Sequence, residues 1–325
     1  MPQSTKVLVT GASGTVGTAL MKRLVADGYD VVGADIEPNR WSTAIDDRTV
    51  QVDLRDRAAL GALPTDVDIV VHLAANARVR ALVDQPERAR DNFEMTFNVL
   101  EFARKHDVSG VLFSSSREVY GDGRGVVRRE GETTIDDCES PYTASKVGGE
   151  AMVEAYARCY GFSAAILRFS NVYGRYDVSD RVVPLFIAQA ERGEDMAVYG
   201  RDKVLDFTHI DDCVEGVVGA IDNFEAAAGL TFNIASGQGV SLLTLANRVS
   251  ELVQTDAAVH TECSKVGEVS RFVADISRAQ SVLDYEPRKS PLDGLEEAIE
   301  WYRQRNRLDQ VARPKLEADG GTSRE

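Results

Sequence analysis

A doubly wound parallel α/β sheet with a smaller α/β substrate-binding lobe is the fold class this sequence predicts, and three observations predict it. Short β-branched apolar runs alternate with amphipathic stretches of helical length through the first half of the chain. A glycine-rich turn, Gly11 to Gly17, joins the first such run to the first helix. The chain has 325 residues, 43% hydrophobic and 27% charged, a composition that fits globular domains and excludes a disordered chain, a collagen-like fibre or a coiled-coil rod. In order, strands are expected at Lys6–Thr10, Asp30–Ala34, Asp68–Leu73, Gly110–Ser114 and Ala164–Phe169, and helices at Val16–Asp27, Arg55–Leu63, Asp91–Lys105 and Ser145–Tyr160. After Asn171 the rhythm loosens: a helix near Pro184–Arg192, a strand ending in Tyr199, a helix from Asp211, a strand at Leu230–Ala235, and helices near Leu242–Val253 and Leu295–Arg305. The pattern divides into a first lobe over 1–172, to which segments around 204–235 return, a second lobe over 173–312, and a tail, 313–325, too poor in apolar residues to pack.

Charge narrows the partners. With 37 Lys and Arg against 52 Asp and Glu the net charge is −15, which disfavours nucleic acid and anionic membranes. Four cysteines lie far apart without a CxxC pair or a ligand-spaced histidine, so neither a metal site nor a disulfide framework is expected. The first residues run into a strand without a signal-like segment, and no window reaches the ~20 apolar residues of a membrane span, so a reducing cytoplasm is the expected location.

The turn Thr10-Gly11-Ala12-Ser13-Gly14-Thr15-Val16-Gly17 sits between a strand and a helix. Glycines there let backbone N–H groups approach a pyrophosphate at the helix N-terminus. Asp35 closes the next strand, where an acid accepts hydrogen bonds from the adenosine ribose and repels a 2′-phosphate, so a Rossmann-type dinucleotide site that favours NAD over NADP is expected, a preference that Arg40, close in sequence, blurs. Further along, Tyr142 and Lys146 stand four apart at the start of a helix, a spacing that sends both side chains into one cleft. A phenol is a poor base at neutral pH, and a neighbouring ammonium together with the positive nicotinamide ring would bring its pKa down.

The G-x-x-G-x-x-G spacing together with Tyr142-Thr143-Ala144-Ser145-Lys146 resembles the short-chain dehydrogenase/reductase superfamily. In detail the chain resembles its extended, nucleotide-sugar epimerase/dehydratase branch, to which UDP-glucose 4-epimerase belongs. Several motifs carry the resemblance in order: Asp53-Leu54; His72-Leu73-Ala74-Ala75; Asn92 with Asn98-Val99-Leu100-Glu101; Ser114 to Gly121; Leu167 to Gly174; and Asp206 to Asp212. The resemblance implies an NAD site formed by Gly11, Ser13, Gly14, Thr15, Val16, Gly17, Asp35, Asp53, Leu54, Leu73, Ala74, Ala75, Asn92, Ser114, Tyr142 and Lys146. It implies a catalytic set of Ser116, Tyr142 and Lys146, with Glu118 as a candidate fourth member. The nucleotide sugar, a UDP-sugar in the favoured reading, would meet Ser116, Asn171, Arg181, Tyr199, Lys203 and Arg271. It also implies a homodimer, in which the helices over Asp91–Lys105 and Ser145–Tyr160 would form an intersubunit bundle with Leu100, Phe102, Val147, Met152 and Tyr156 in contact.

The activity this implies is inversion at C4 of the sugar through a transient 4-keto form, without net redox. Departures from the family pattern keep other readings open. Arg117 stands where related 4,6-dehydratases carry Asp, while Glu118 is shared with nucleotide-sugar decarboxylases, so a decarboxylase, dehydratase or reductase is the alternative, and a non-catalytic NAD sensor a further one. Leu205 occupies the position of a phosphate-gripping Arg, leaving Lys203 nearby, and Lys265-Val266-Gly267-Glu268 replaces a familiar Arg-Pro-Gly-acid run.

Overall fold

The computed structural model describes residues 5–122, 127–263, 269–305 and 308–311. The strands are β1 (Lys6–Thr10), β2 (Asp30–Asp35), β3 (Thr49–Gln51), β4 (Ile69–His72), β5 (Gly110–Ser116), β6 (Val127–Arg128), β7 (Ser163–Phe169), β8 (Asn171–Tyr173), β9 (Met196–Tyr199), β10 (Val204–His209), β11 (Thr231–Ile234), β12 (Gly239–Ser241), β13 (Val259–Glu262) and β14 (Arg271–Ala274). The helices are α1 (Thr15–Ala26), α2 (Thr43–Asp46), α3 (Val79–Asp84), α4 (Glu87–Lys105), α5 (Pro141–Tyr160), α6 (Val182–Glu191), α7 (Ile210–Asp222), α8 (Phe224–Ala227), α9 (Leu242–Val253), α10 (Ser277–Leu283) and α11 (Gly294–Gln304).

Seven strands form one parallel sheet in the order β11-β7-β5-β4-β1-β2-β3. Both faces of this sheet are covered, which is why its strands are continuously apolar rather than alternating with polar residues. In β1, Val7 and Val9 join the core beneath α1 and α7, while Leu8 points to the opposite core, built with Val99, Leu100, Phe102 and Val153 of α4 and α5. Strand order reverses between β1 and β4, so the loops after these two strands diverge and leave a crevice at the carboxyl edge, where α/β sheets bind ligands.

The second lobe is a sheet ordered β12-β10-β14-β6, with β8 alongside β10, and a separate parallel pair, β9 with β13. Its core, including Phe186, Phe207, Leu245, Phe272 and Tyr302, packs among α6, α9 and α11. The segment expected to return to the first lobe divides: Thr231–Ile234 pairs with β7, whereas Val204–His209 joins the second sheet. Three aromatic rings bind the lobes together: Trp41 after β2, Tyr176 after β8 and Trp301 of α11 lie with centroids 5.5–5.8 Å apart.

Two expected elements differ. The helix over Arg55–Leu63 is only a short 3₁₀ turn, Ala59–Ala62. Asp53 accepts from the Arg55 N–H and Asp56 from that of Ala58, local bonds that hold the chain in turns where a helix would otherwise start. The Tyr142 helix begins four residues earlier than Ser145: Ser140 caps it by accepting from the Thr143 N–H at 3.1 Å, and Pro141 occupies the first helical position. All four cysteines are free thiols. Among the described residues no helix is long and apolar enough to cross a membrane. The run 265–268 and the tail 313–325 lie outside the described residues.

Candidate active site

The glycine loop is built by steric necessity. Gly11 has φ +72°, and a Cβ there would come within 2.8 Å of the Ala74 backbone nitrogen, so the loops after β1 and β4 touch only because this residue has no side chain. Gly17 is tighter still, its hypothetical Cβ 2.0 Å from the Gly11 carbonyl oxygen. Gly14 is the N-cap of α1 and offers no side-chain cap, so the first-turn N–H groups stay available to an anion. Val16 packs on the core, and the Thr15 hydroxyl donates across to the Tyr176 carbonyl at 3.1 Å. Asp35 fixes the loop from the other side: Ser13 and Glu37 donate backbone N–H bonds to its two oxygens at 2.9 and 3.0 Å. Burial pushes its carboxyl above the ordinary value, opposed by those N–H bonds. A carboxylate keeps lone pairs beyond these two bonds, so these residues fit a dinucleotide with a free ribose diol. Replacing Gly17 by Ala should therefore weaken NAD retention about tenfold or more and cost about 1–3 kcal/mol of stability, read by cofactor content after gel filtration and by denaturant unfolding.

The neighbouring candidates hold the crevice in shape. Asp53 is gripped by Arg55, 2.7 Å from its Nη2, while Leu54 is buried and its carbonyl accepts from Asn98. Thr10 Oγ1 takes the Ala74 N–H and sits 2.7 Å from His72 Nδ1, and the Leu73 N–H bonds the Thr10 carbonyl; Ala75 follows, half-buried. On the far side of the imidazole, Thr96 donates its hydroxyl to the Asn92 carbonyl, so His72 Nε2 donates to Thr96. Burial and the Lys146 charge lower the His72 pKa to about 3, so the ring is a neutral spacer. Asn92 accepts the Asn76 N–H at 2.7 Å and donates to Ser145 Oγ at 3.1 Å, tying the loop after β4 to the helix that carries Tyr142.

Ser116 ends β5, and Tyr142 and Lys146 lie on α5, packed against that strand. Tyr142 is buried beside Leu82 and Ala89, and its phenol lies within the electrostatic reach of the Ser116 hydroxyl. Lys146 Nζ donates to the Ser114 carbonyl at 2.8 Å and lies 5.1 Å over the Phe113 ring, while Ser114 Oγ donates to the His72 carbonyl. Burial lowers the Lys146 pKa to about 8, with Glu150 one turn on pushing it back up. The part of the expected Tyr142 depression assigned to Lys146 is corrected: burial pushes this phenol up, and the protein's own opposing influences are the Ser116 hydroxyl, Arg181 and Arg117. Its lysine neighbour is turned to a carbonyl instead.

A lysine that titrates near 8 in the fold and near 10.5 in the unfolded chain destabilises the fold most below pH 8, where both states are protonated; stability is regained as pH rises between the two values. Lysine ¹³Cε shifts of cofactor-free protein should show one ammonium with a midpoint near 8, moving lower in Glu150→Gln; a midpoint near 10.5 for all lysines contradicts this environment.

Glu118, buried, pairs with Arg117 at 2.7 Å, and Arg117 Nε donates to Asn171 Oδ1 at 3.0 Å. Asn171 in turn donates to the Asp206 carbonyl. Arg181, N-cap of α6, lies 3.6 Å from Asp177. Thus Arg117 joins Glu118 and Asn171 next to Ser116, and Arg181 with Asp177 forms a second pair whose cation influences the Tyr142 phenol. Lys203 and Arg271 belong to a different part of the second lobe, where with Gly200 and Cys263 they line a cavity of about 430 Å³; Tyr199, at the end of β9, precedes Gly200 but is not among its lining residues. Leu205, where an arginine was missed, is buried in the lobe's core.

Sequence reasoning missed the pair beneath the site, Arg168 and Glu150. Their bidentate bonds of 2.8 and 2.6 Å, with Ser115 on Glu150 at 2.5 Å and Tyr120 on Arg168 at 3.0 Å, join β5, β7 and α5. The signal was Glu150 one turn beyond Lys146, on the same face of the helix.

A reversed-order parallel sheet with a glycine cradle at its switch point and a Ser–Tyr–Lys set at the strand ends defines an extended short-chain dehydrogenase/reductase enzyme that uses NAD. The model of the NAD dependent epimerase/dehydratase family matches residues 7–235, and the chain belongs to that family. A dTDP-glucose 4,6-dehydratase of Mycobacterium tuberculosis is 32% identical over 311 residues, covering 92% of this chain and 93% of its own. Among solved structures, UDP-glucose 4-epimerase of Thermotoga maritima with UDP-glucose is 28% identical at TM-score 0.83, covering 93% of this chain and 99% of that one. UDP-glucuronic acid 4-epimerase of Bacillus cereus, in complex with UDP-glucuronic acid and NAD, is 29% identical at TM-score 0.83, covering 92% and 99%.

Proposed function

We propose that the chain is a nucleotide-sugar 4-epimerase acting on a UDP-sugar. The observation that carries this reading is the buried Tyr142 phenol beside Ser116 with Lys146 on the same helix face, supported by the likeness to two 4-epimerases. When bound, NAD supplies a reversible hydride acceptor. Tyr142 takes the proton of the sugar 4-hydroxyl and later returns it. Ser116 donates a hydrogen bond to the reacting oxygen as its C–O bond gains double-bond character. Arg181 and Arg117 favour the ionised phenol, while Lys146, held on the Ser114 carbonyl, lies on the same helix face. Inversion requires the sugar to turn within the pocket, so most binding energy has to come from the nucleotide diphosphate, with Asn171 and Arg181 at the crevice and Lys203 and Arg271 in the cavity beyond.

A second reading, dehydration at the 4-keto stage, is favoured by the similarity to the dehydratase. Against it stands Arg117, which engages the Glu118 carboxylate that would have to give up a proton. Protein incubated without added cofactor with UDP- and GDP-sugars and uronates separates these. Unchanged mass with inverted C4 by NMR is the expected result; loss of water or CO₂ assigns dehydration or decarboxylation instead, and turnover only with added NAD(P)H assigns a reductase.

We infer a homodimer through the outer faces of α4 and α5, where Val147, Met152 and Tyr156 of the expected contacts are half-buried. Leu100 and Phe102 are buried within the chain's own core. The exposed rings on these helices are Phe97 and Tyr160, and light scattering of Phe97→Asp should shift a dimer toward monomer.

A further inference from the structure

Arg117 is the least explained residue at the crevice. Its guanidinium is mostly withdrawn from solvent, with the side chain 12% exposed. Nη2 meets Glu118, Nε meets Asn171, and the group lies 5.8 Å from the Phe272 ring centroid. That leaves Nη1, which is buried and has no hydrogen-bond partner among the described residues. A buried cationic donor without an acceptor is costly, and such a group calls for a partner that the protein itself does not supply. Its location indicates where that partner sits. Arg117 follows Ser116, which ends β5 at the crevice, and its charge reaches the Tyr142 phenol. In a protein of net charge −15, an unpartnered guanidinium N–H at this place suits a substrate that carries negative charge on the sugar as well as on its diphosphate.

We propose that Arg117 Nη1 receives a carboxylate borne by the sugar, so that the preferred substrate is a nucleotide uronate rather than a neutral nucleotide hexose; the proposal rests on the nucleotide-sugar reading above. The planar fork of a guanidinium can hold Glu118 with one nitrogen and a second carboxylate with the other, which lysine cannot reproduce. Arg117 is then a specificity-determining residue, and Glu118 positions it.

Isothermal titration of the NAD-containing Tyr142→Phe protein, which binds without turning over, tests this with UDP, UDP-glucose and UDP-glucuronate. UDP-glucuronate should bind about tenfold or more tighter than UDP-glucose. The added pair Arg117→Met and Glu118→Gln, which removes both charges together and spares the fold an uncompensated carboxylate, should weaken UDP-glucuronate about 10–100-fold more than it weakens UDP or UDP-glucose, the range for a hydrogen bond to a charged group. Arg117→Lys, which keeps a partner for Glu118, should lose the same preference. Equal binding of the two sugars by the parent overturns the proposal. So does equal weakening of all three ligands, which assigns Nη1 to a phosphate oxygen. Failure of UDP itself to bind the parent overturns the nucleotide-sugar reading, and this proposal with it.

Discussion

Tyr142→Phe should lower turnover about 10²–10⁴-fold, the contribution of a positioned proton-transfer group, while the protein keeps its NAD and its fold. The ring packs against Leu82 and Ala89 and remains in place in the variant, so only the hydroxyl is lost. The glycine cradle and Asp35 belong to the loops around β1 and β2 and do not depend on that hydroxyl. Activity on the best substrate of the panel, with bound cofactor measured on the same sample, checks both halves. Unchanged turnover would mean that another group moves the proton.

The largest expected change in stability comes from Arg168→Met. Arg168 is 4% exposed and Glu150 11%, and the pair is closed by Ser115, Tyr120 and the Glu130 carbonyl. Removing one partner leaves Glu150 charged and buried, at about 3–5 kcal/mol, a large part of the ~5–15 kcal/mol that holds a domain folded. Arg168→Met with Glu150→Leu should recover most of that loss, because a buried ion pair exchanged for apolar groups of similar volume is close to neutral. Denaturant unfolding of the two variants decides the matter; a loss below ~1 kcal/mol in the single variant would show that water reaches Glu150.

Much of this architecture is readable from local pattern. β1, α1 and β2 follow from an apolar run, a glycine turn and a second apolar run, and each forms within a residue or two of where the pattern puts it. The run from Arg55 to Leu63 misleads because hydrophobic spacing alone does not reveal that Asp53 and Asp56 close turns on the backbone. The onset of α5 was written in Ser140 and Pro141, cap and first-turn signals that outweigh the periodicity beginning at Ser145. In the site, residue types and spacing identify Ser116, Tyr142 and Lys146, but their electrostatics depend on burial, which no spacing conveys. Hence the phenol is raised where a lysine four residues away suggested the reverse. Arg168 meets Glu150 across 18 positions and Arg117 meets Asn171 across 54; such partners are set by strand order, so they became visible only with the sheet.

The ring trio of Trp41, Tyr176 and Trp301 gives the chain a closed circuit. A residue from the loop after β2 is fastened to one from the last long helix, about 260 positions away along a chain whose loop-closure cost grows only slowly with length. Neither lobe can therefore finish folding alone, since each supplies part of the other's apolar surface. The cofactor crevice and the C-terminal helix should form and melt in a single transition, and shortening the chain at α11 would loosen the ribose side of a crevice built by its first fifty residues.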